Sequence, residues 1–346
     1  MELRRKIFSG SVVLLLLLMG LAQAAMAAQK LLAVPLRVQE QDQWCWAGSS
    51  NAVLKYYTKI IKQCYLADFA WKRKDCCSTP ANCNASNAMY GTAGSLQAIL
   101  KKWCVSSSPL ANALTFAQCR SEINNNRPFI LRYGWDSGGG HFIVGRGYKT
   151  DAPGYLYLMN PWPGDGYGTF TYNYVKRKVG DHTWTHTLRS VKRDRAPADW
   201  KVTSTSPVKS DGEWKYRLSL TETANGCGKL LKFYHDFYDE NNKFINRQTS
   251  SLSDFPDWFD DCADKDIQFP RKTKFCGDTW TNLGGRTSGY VRHSFVIKCD
   301  SGTTITRTKK IALSSGAGGQ EKISIEKGFG IPASRPDGDK VNPVEE

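Results

Sequence analysis

In the run Gln39-Glu40-Gln41-Asp42-Gln43-Trp44-Cys45-Trp46-Ala47-Gly48, one cysteine stands between two tryptophans. A thiol used as a nucleophile needs a base to take its proton, a group to orient that base, and donors to hold an oxyanion. The chain offers candidates for each. His141 is the best base, because Gly138-Gly139-Gly140 precede it and their missing side chains let a substrate or a helix end come close to the imidazole. Asn160 closes the apolar run Tyr155-Leu156-Tyr157-Leu158-Met159 and can fix the imidazole tautomer, with Asp136 and Asp165 as rivals for that task. Gln39, six residues before Cys45, can swing its amide back beside the sulfur while the Cys45 backbone N–H supplies a second donor; Gln41 and Gln43 are alternatives.

Each candidate has a plainer reading. A single histidine is more often a satisfied structural residue, and His235 and His293 are taken that way. His182 and His186 have a spacing that could ligate a metal. The intervening Thr183-Trp184-Thr185 favours a strand, and no third ligand stands out, so no metal and no cofactor is expected. Asn160-Pro161 reads equally well as a plain turn, and a lone glutamine is ordinarily a surface residue.

Elements must carry these residues. Trp46, Ser50, Val53, Leu54, Tyr57, Ile60 and Ile61 recur at three- and four-residue steps, the stripe of a helix that would begin at Cys45. A cysteine in the first turn of a helix faces unpaired amides and the positive end of the dipole, which favour its thiolate. A second helix is expected over 64–75, then a loop from Cys76 to Cys83 dense in turn formers and stapled by disulfides. Leu96, Ile99, Leu100 and Trp103 suggest a third helix, and the capping-box pattern Thr115-Phe116-Ala117-Gln118 a fourth. Strands then follow at 128–133, 141–145, 155–159 and 168–172. Helices followed by an antiparallel sheet make an α+β domain over residues 28–195. Residues 196–212 have linker composition. Alternation at Trp214, Tyr216, Leu218 and Leu220, repeated in 231–238, 290–298 and 303–313, predicts a β-sandwich-like accessory domain over 213–329, with a disordered tail over 330–346.

At 346 residues the chain has room for two domains. Arg4-Arg5-Lys6, the apolar run from Val12 to Leu21, and Ala22-Gln23-Ala24 or Ala25-Met26-Ala27 read as an export signal over residues 1–27, leaving a secreted or periplasmic chain. Export favours disulfides. Of the 11 cysteines, Cys64, Cys76, Cys77, Cys83, Cys104 and Cys119 form an even set, and Cys227, Cys262, Cys276 and Cys299 another; Cys45 is left over. The net charge of +15, with clusters at Lys72-Arg73-Lys74, Lys176-Arg177-Lys178 and Lys192-Arg193, suits an anionic surface as partner, although solvated faces that keep an exported protein soluble are the better reading of each cluster. No nucleic-acid motif accompanies them. Oligomeric state is not legible.

The glutamine six before the cysteine, Cys45-Trp46-Ala47 opening a helix, Gly140-His141 heading a strand and Asn160-x-Trp162 ending another resemble, in that order, the papain-like cysteine peptidases. The compact spacing is most similar to the short bacterial secreted branch that includes staphopains and plant-pathogen effector proteases. The resemblance covers about residues 30–180. It implies a papain-like catalytic domain acting on protein or peptide substrates, with Cys45 as nucleophile, His141 as general base and acid, Asn160 orienting it, Gln39 as oxyanion donor and Trp162 shielding the His–Asn bond; it names no substrate-binding residue. The chain departs from papain at Asp42, where papain has a cysteine in a disulfide, and only 28–44 precede the nucleophile in the mature chain, too few for an inhibitory pro-segment. Two other functions fit the same residues: a peptidoglycan hydrolase using the Cys–His pair, although such enzymes open on Asp-Cys-Ser, and a non-catalytic binding protein on a papain-like scaffold.

Overall fold

The computed structural model describes residues 28–253, 255, 259, 268–270, 273–314 and 329–332, so the export signal expected over 1–27 lies outside the described residues. In chain order the elements begin with β1 (Gln29–Leu31), α1 (Cys45–Tyr56), α2 (Gln63–Trp71), a 3-10 turn (Pro80–Cys83), α3 (Leu96–Lys102), β2 (Val105–Leu110) and α4 (Phe116–Asn124). There follow β3 (Phe129–Trp135), β4 (His141–Lys149), β5 (Tyr155–Asn160), β6 (Gly166–Thr171), α5 (Tyr172–Lys176), β7 (Arg177–Lys178) and β8 (His182–Arg193). The remaining strands are β9 (Trp200–Ser204), β10 (Val208–Ser210), β11 (Glu213–Glu222), β12 (Gly228–Asp239), β13 (Phe244–Ser250), β14 (Gln268–Phe269), β15 (Lys274–Asn282), β16 (Ser288–Cys299), β17 (Thr304–Ser314) and β18 (Phe329–Pro332). The α+β expectation holds. The described residues fall into two compact units, one within the bounds Met1–Val38 and Pro109–Arg189, the other within Gln39–Ser108 and Ser190–Glu346.

The first unit is an antiparallel sheet in the order β8-β3-β4-β5-β6, with β1 paired to β4. Phe129, Ile130, Leu131, Ile143, Val144, Leu156, Leu158 and Met159 are buried in these strands, which explains why β3 reads as a nearly unbroken apolar run. The Phe129 ring stacks on Trp184 at 5.7 Å. Helix α4 starts where the capping box predicts: Thr115 accepts from the Gln118 backbone N–H, and the Gln118 side chain accepts from the Thr115 N–H at 2.8 Å. Such a cap satisfies two orphan donors and is worth about 1 kcal/mol.

In the second unit every residue of α1 from Trp46 to Leu54 is buried, not merely one stripe, because Ala47, Gly48, Ser49, Ser50 and Ala52 are small enough for neighbours to approach on the remaining faces. The predicted stripe runs too far: the helix stops at Tyr56, Thr58 takes a positive φ of 66°, and Ile60 beyond it is 65% exposed. Ion pair Lys59–Asp300 at 2.6 Å and the Lys102 Nζ to Thr273 Oγ1 bond at 2.9 Å tie the helical segment to residues at the ends of the sandwich strands β16 and β15.

The sandwich joins a sheet β10-β11-β15-β18, with β9 on β11, to a sheet β13-β12-β16-β17, with β14 on β12. Trp214, Tyr216, Leu218 and Leu220 face inward from β11, as alternation predicts, against Phe233, Phe237, Val291 and Phe295. Residues 196–212, expected as linker, instead hold β9 and β10; Trp200 of β9 is buried in the core, an anchor that the Ser/Thr/Pro composition around it conceals. The tail expected to be disordered from 330 begins with β18, parallel to β15, while 333–346 lie outside the described residues.

Cysteine parity is overturned. Disulfides join Cys64–Cys77, Cys76–Cys83 and Cys104–Cys227, and Cys276 is also disulfide-bonded. Cys104–Cys227 crosses the two sets, while Cys119 and Cys299 join Cys45 outside the disulfides. Counting fails because residues 39–108 pack in the same unit as the sandwich, and because Cys119 serves as a small apolar residue on the buried face of α4. These disulfides suit an oxidising, extracytoplasmic compartment. Among the described residues no helix is long and apolar enough to cross a membrane.

Candidate active site

In the first unit, β4 and β5 pair with Val144 opposite Met159, which sets Asn160 across from Ile143. Alternate residues share a face, so His141 and Asn160 emerge on the same side of the sheet. Their side chains meet: His141 Nε2 to Asn160 Oδ1 is 2.6 Å. The Trp162 backbone N–H donates to the same Oδ1 at 3.0 Å, and Asn160 Nδ2 donates to Asp165 Oδ2 at 2.7 Å, so every polar atom of the amide is used and its orientation is determined by its partners. Asn160 and Asp165 thus both belong to the histidine's network, in series and not as alternatives.

Two tryptophans wall the imidazole. Trp162 presents its edge at 5.9 Å and is 46% exposed; Trp135 stacks at 6.1 Å with an 18° tilt. The sequence reading named Trp162 and missed Trp135, whose signal was an aromatic residue at the end of β3 just before the glycines. Those glycines have a specific use. A Cβ on Gly140 would lie 2.5 Å from the Arg132 guanidinium and from the Tyr133 carbonyl, because Arg132 reaches under the loop to donate to the Gly139 carbonyl at 2.7 Å. Gly138 and Gly139 take φ of 96° and 80°, a region that favours glycine.

Burial lowers the His141 pKa below the usual histidine value, and the Asn160 hydrogen bond and the Asp165 charge oppose that shift. Asp136 is turned elsewhere, paired with Arg177 and accepting from the Gly180 N–H at 2.9 Å. His182 is tied to Asp181 through Nδ1 and to the Tyr174 carbonyl through Nε2, which leaves neither nitrogen for a metal.

In the second unit Cys45 opens α1 and is half-buried. The N-cap, Trp44, makes no side-chain cap bond. The flanking tryptophans are buried: Trp44 Nε1 donates to the Cys83 carbonyl at 2.8 Å, and Trp46 Nε1 to the Ala85 carbonyl at 2.9 Å. The C-terminal end of the loop closed by Cys76–Cys83 and the residues just past it thus receive both indoles and fix the start of the helix, a role that dense turn formers alone did not reveal. Of the three glutamines, Gln39 is buried and Gln43 exposed. Gln39 Nε2 donates to the Gln41 and Asp42 carbonyls at 2.9 and 2.8 Å, committing both amide hydrogens, while its Oε1 is buried with no hydrogen-bond partner.

Each basic cluster loses a cation to internal structure: Arg73 to Asp75, Arg177 to Asp136, and Arg193 to the Tyr57 carbonyl.

With this geometry in view, the comparisons with known proteins bear on one segment. Residues 31–191 match the model of the Peptidase_C39 like family. That stretch contains Gln39, Cys45, His141 and Asn160 and supports a cysteine-peptidase-like family for this part of the chain. No curated protein matches the chain. Among solved structures, the chain is similar to a protein described as ApaA from Bordetella pertussis, at 14% identity over 34% of this chain and 95% of that one, with a TM-score of 0.27. It is also similar to the structural-genomics target SoR45, at 13% identity over 37% of this chain and 94% of that one, with a TM-score of 0.25.

Proposed function

We propose that the chain is an exported, papain-like cysteine endopeptidase, secreted or periplasmic, of the compact bacterial type that includes staphopains. The observation that carries this reading is the 2.6 Å bond between His141 Nε2 and Asn160 Oδ1, which orients the imidazole. Cys45 attacks a peptide carbonyl as the thiolate that a helix start favours. His141 gives its proton to the leaving amine, an acyl-enzyme forms on the sulfur, and water releases the acid with His141 acting as base. The oxyanion takes the Cys45 backbone N–H and the Gln39 amide, which releases the carbonyl of Gln41 or Asp42 to make that bond. Residues 28–195 are the catalytic domain and 213–329 the accessory domain. Protein or peptide is the substrate, the basic clusters hold the chain near an anionic surface, and nucleic acid is not a partner.

Three cysteines outside disulfides make alkylation informative. Burial pushes the thiols of Cys119 and Cys299 up, so native protein treated with iodoacetamide or an epoxysuccinyl peptide is expected to be labelled at Cys45 and spared at the other two. Cys45→Ser is expected to keep the fold and lose casein hydrolysis by about a thousandfold or more. Undiminished hydrolysis by that variant, or lysis of cell walls with casein left intact, overturns the reading.

A further inference from the structure

The loop Asn160-Pro161-Trp162-Pro163-Gly164-Asp165-Gly166 joins β5 to β6, whose pairing ends at Asn160 opposite Gly166. Gly164 and Gly166 take φ of 92° and 59°, and the Asp165 backbone N–H donates to the Trp162 carbonyl at 3.1 Å. Two glycines in left-handed conformations and two prolines therefore turn the chain so that an exposed carboxylate closes back on a half-buried amide. The Asp165 bond to Asn160 Nδ2 is the end of a chain of contacts, His141 to Asn160 to Asp165, with links of 2.6 and 2.7 Å.

From this arrangement we infer that Asp165 is a positioning residue: it locks the Asn160 amide with Oδ1 toward His141 and sets a negative charge behind it that stabilises the imidazolium. The inference rests on the cysteine-peptidase reading for its kinetic consequences and on geometry alone for its electrostatic one. A carboxylate accepting from the amide nitrogen draws electron density toward the amide oxygen and strengthens that oxygen as acceptor of the imidazole N–H. Neighbouring charges are committed elsewhere. Asp136 pairs with Arg177, Arg132 of β3 with the Gly139 carbonyl and Thr185, and Asp181 with Lys178 and His182. Among the described charged groups of this unit, Asp165 is the one bonded to Asn160. The Trp162 N–H also holds Oδ1, so removing Asp165 weakens the arrangement without abolishing it.

The test compares Asp165→Asn and Asp165→Ala with the parent in the full mature chain, folding being checked by melting. Asparagine keeps an oxygen for the Asn160 amide and removes the charge; alanine removes both. Followed by NMR of the ring in the inactive Cys45→Ser background, the His141 titration midpoint is expected to fall by about half a unit or more in both variants, less at high salt because Asp165 is exposed. In the active chain the alkaline limb of kcat/KM moves down with it. Asp165→Ala is expected to lose about tenfold in kcat with KM unchanged, and Asp165→Asn less. A His141 midpoint that does not move in either variant overturns the inference, whatever the melting temperature does. A chain with no peptidase activity but a shifted midpoint would refute the peptidase reading and keep the electrostatic role of Asp165.

Discussion

Two histidine networks, one in each unit, are built from similar parts and have opposite characters. In the first unit His141 binds Asn160 through Nε2 and has a carboxylate at the far end of its chain. In the sandwich, His235 and His293 share a 2.7 Å contact between their Nδ1 atoms, and the other nitrogens end on Ser250 and Tyr216, each at 2.7 Å. Hydroxyls both donate and accept, so that second chain closes with both rings neutral. Both rings are fully buried, and burial drives the His293 pKa down to about 3 and that of His235 well below its usual value. The two networks differ in how they end, a carboxylate in one and hydroxyls in the other, and not in burial, since His141 is itself only 5% exposed.

The contrast breaks most visibly under substitution. His141→Ala is expected to lower kcat/KM by about a thousandfold or more with little change in melting temperature. His293→Ala should do the reverse, sparing peptide hydrolysis and costing about 3 kcal/mol in denaturant unfolding, because it opens a cavity and strands the polar groups of Tyr216 and His235. Loss of activity in stably folded His293→Ala would erase the distinction.

Acid sharpens it. The unfolded chain takes up a proton near pH 6.5, whereas folded His293 does not until about 3. The stability of the neutral pair is thus complete above pH 6.5, declines as pH falls through that value, and stops declining only below the folded pKa. At pH 5 the loss from His293 alone is about 2 kcal/mol. Urea unfolding at pH 7.5 and 5 measures it, and His293→Phe should flatten the difference; equal stability of the parent at both pH values would mean the pair is not held neutral.

The smallest effect is expected at Tyr216→Phe. It removes one hydroxyl from His293 Nε2 at 2.7 Å and should cost about 1 kcal/mol with no effect on hydrolysis, read from the same unfolding curves.

Much of this was legible in local pattern. The capping box at Thr115, the alternation in β11 and the apolar runs of β3 and β5 each announce their elements, because backbone periodicity decides which side chains share a face. Asn160-x-Trp162 was legible as a motif, whereas Trp135 and the second rank of Asp165 were not, since both depend on where the neighbouring strand and turn bring a side chain. The linker expectation failed at β9 for the same reason: Trp200 is an isolated apolar residue in a polar stretch until the sandwich core supplies its contacts.

The sequence by itself determined the kinds of chemistry available and their order along the chain: a cysteine opening a helix, a histidine after glycines, an asparagine ending a strand. It also determined the α+β class, because periods of 3.6 and 2 are written in consecutive residues. Only the tertiary structure decided that Cys104 pairs with Cys227, that Cys119 and Cys299 stay reduced, that the Gln39 amide is already bonded, and that Asp165 stands behind Asn160. Those outcomes turn on distances of a few ångströms between groups well separated along the chain or brought round by a turn, and no local pattern encodes such distances.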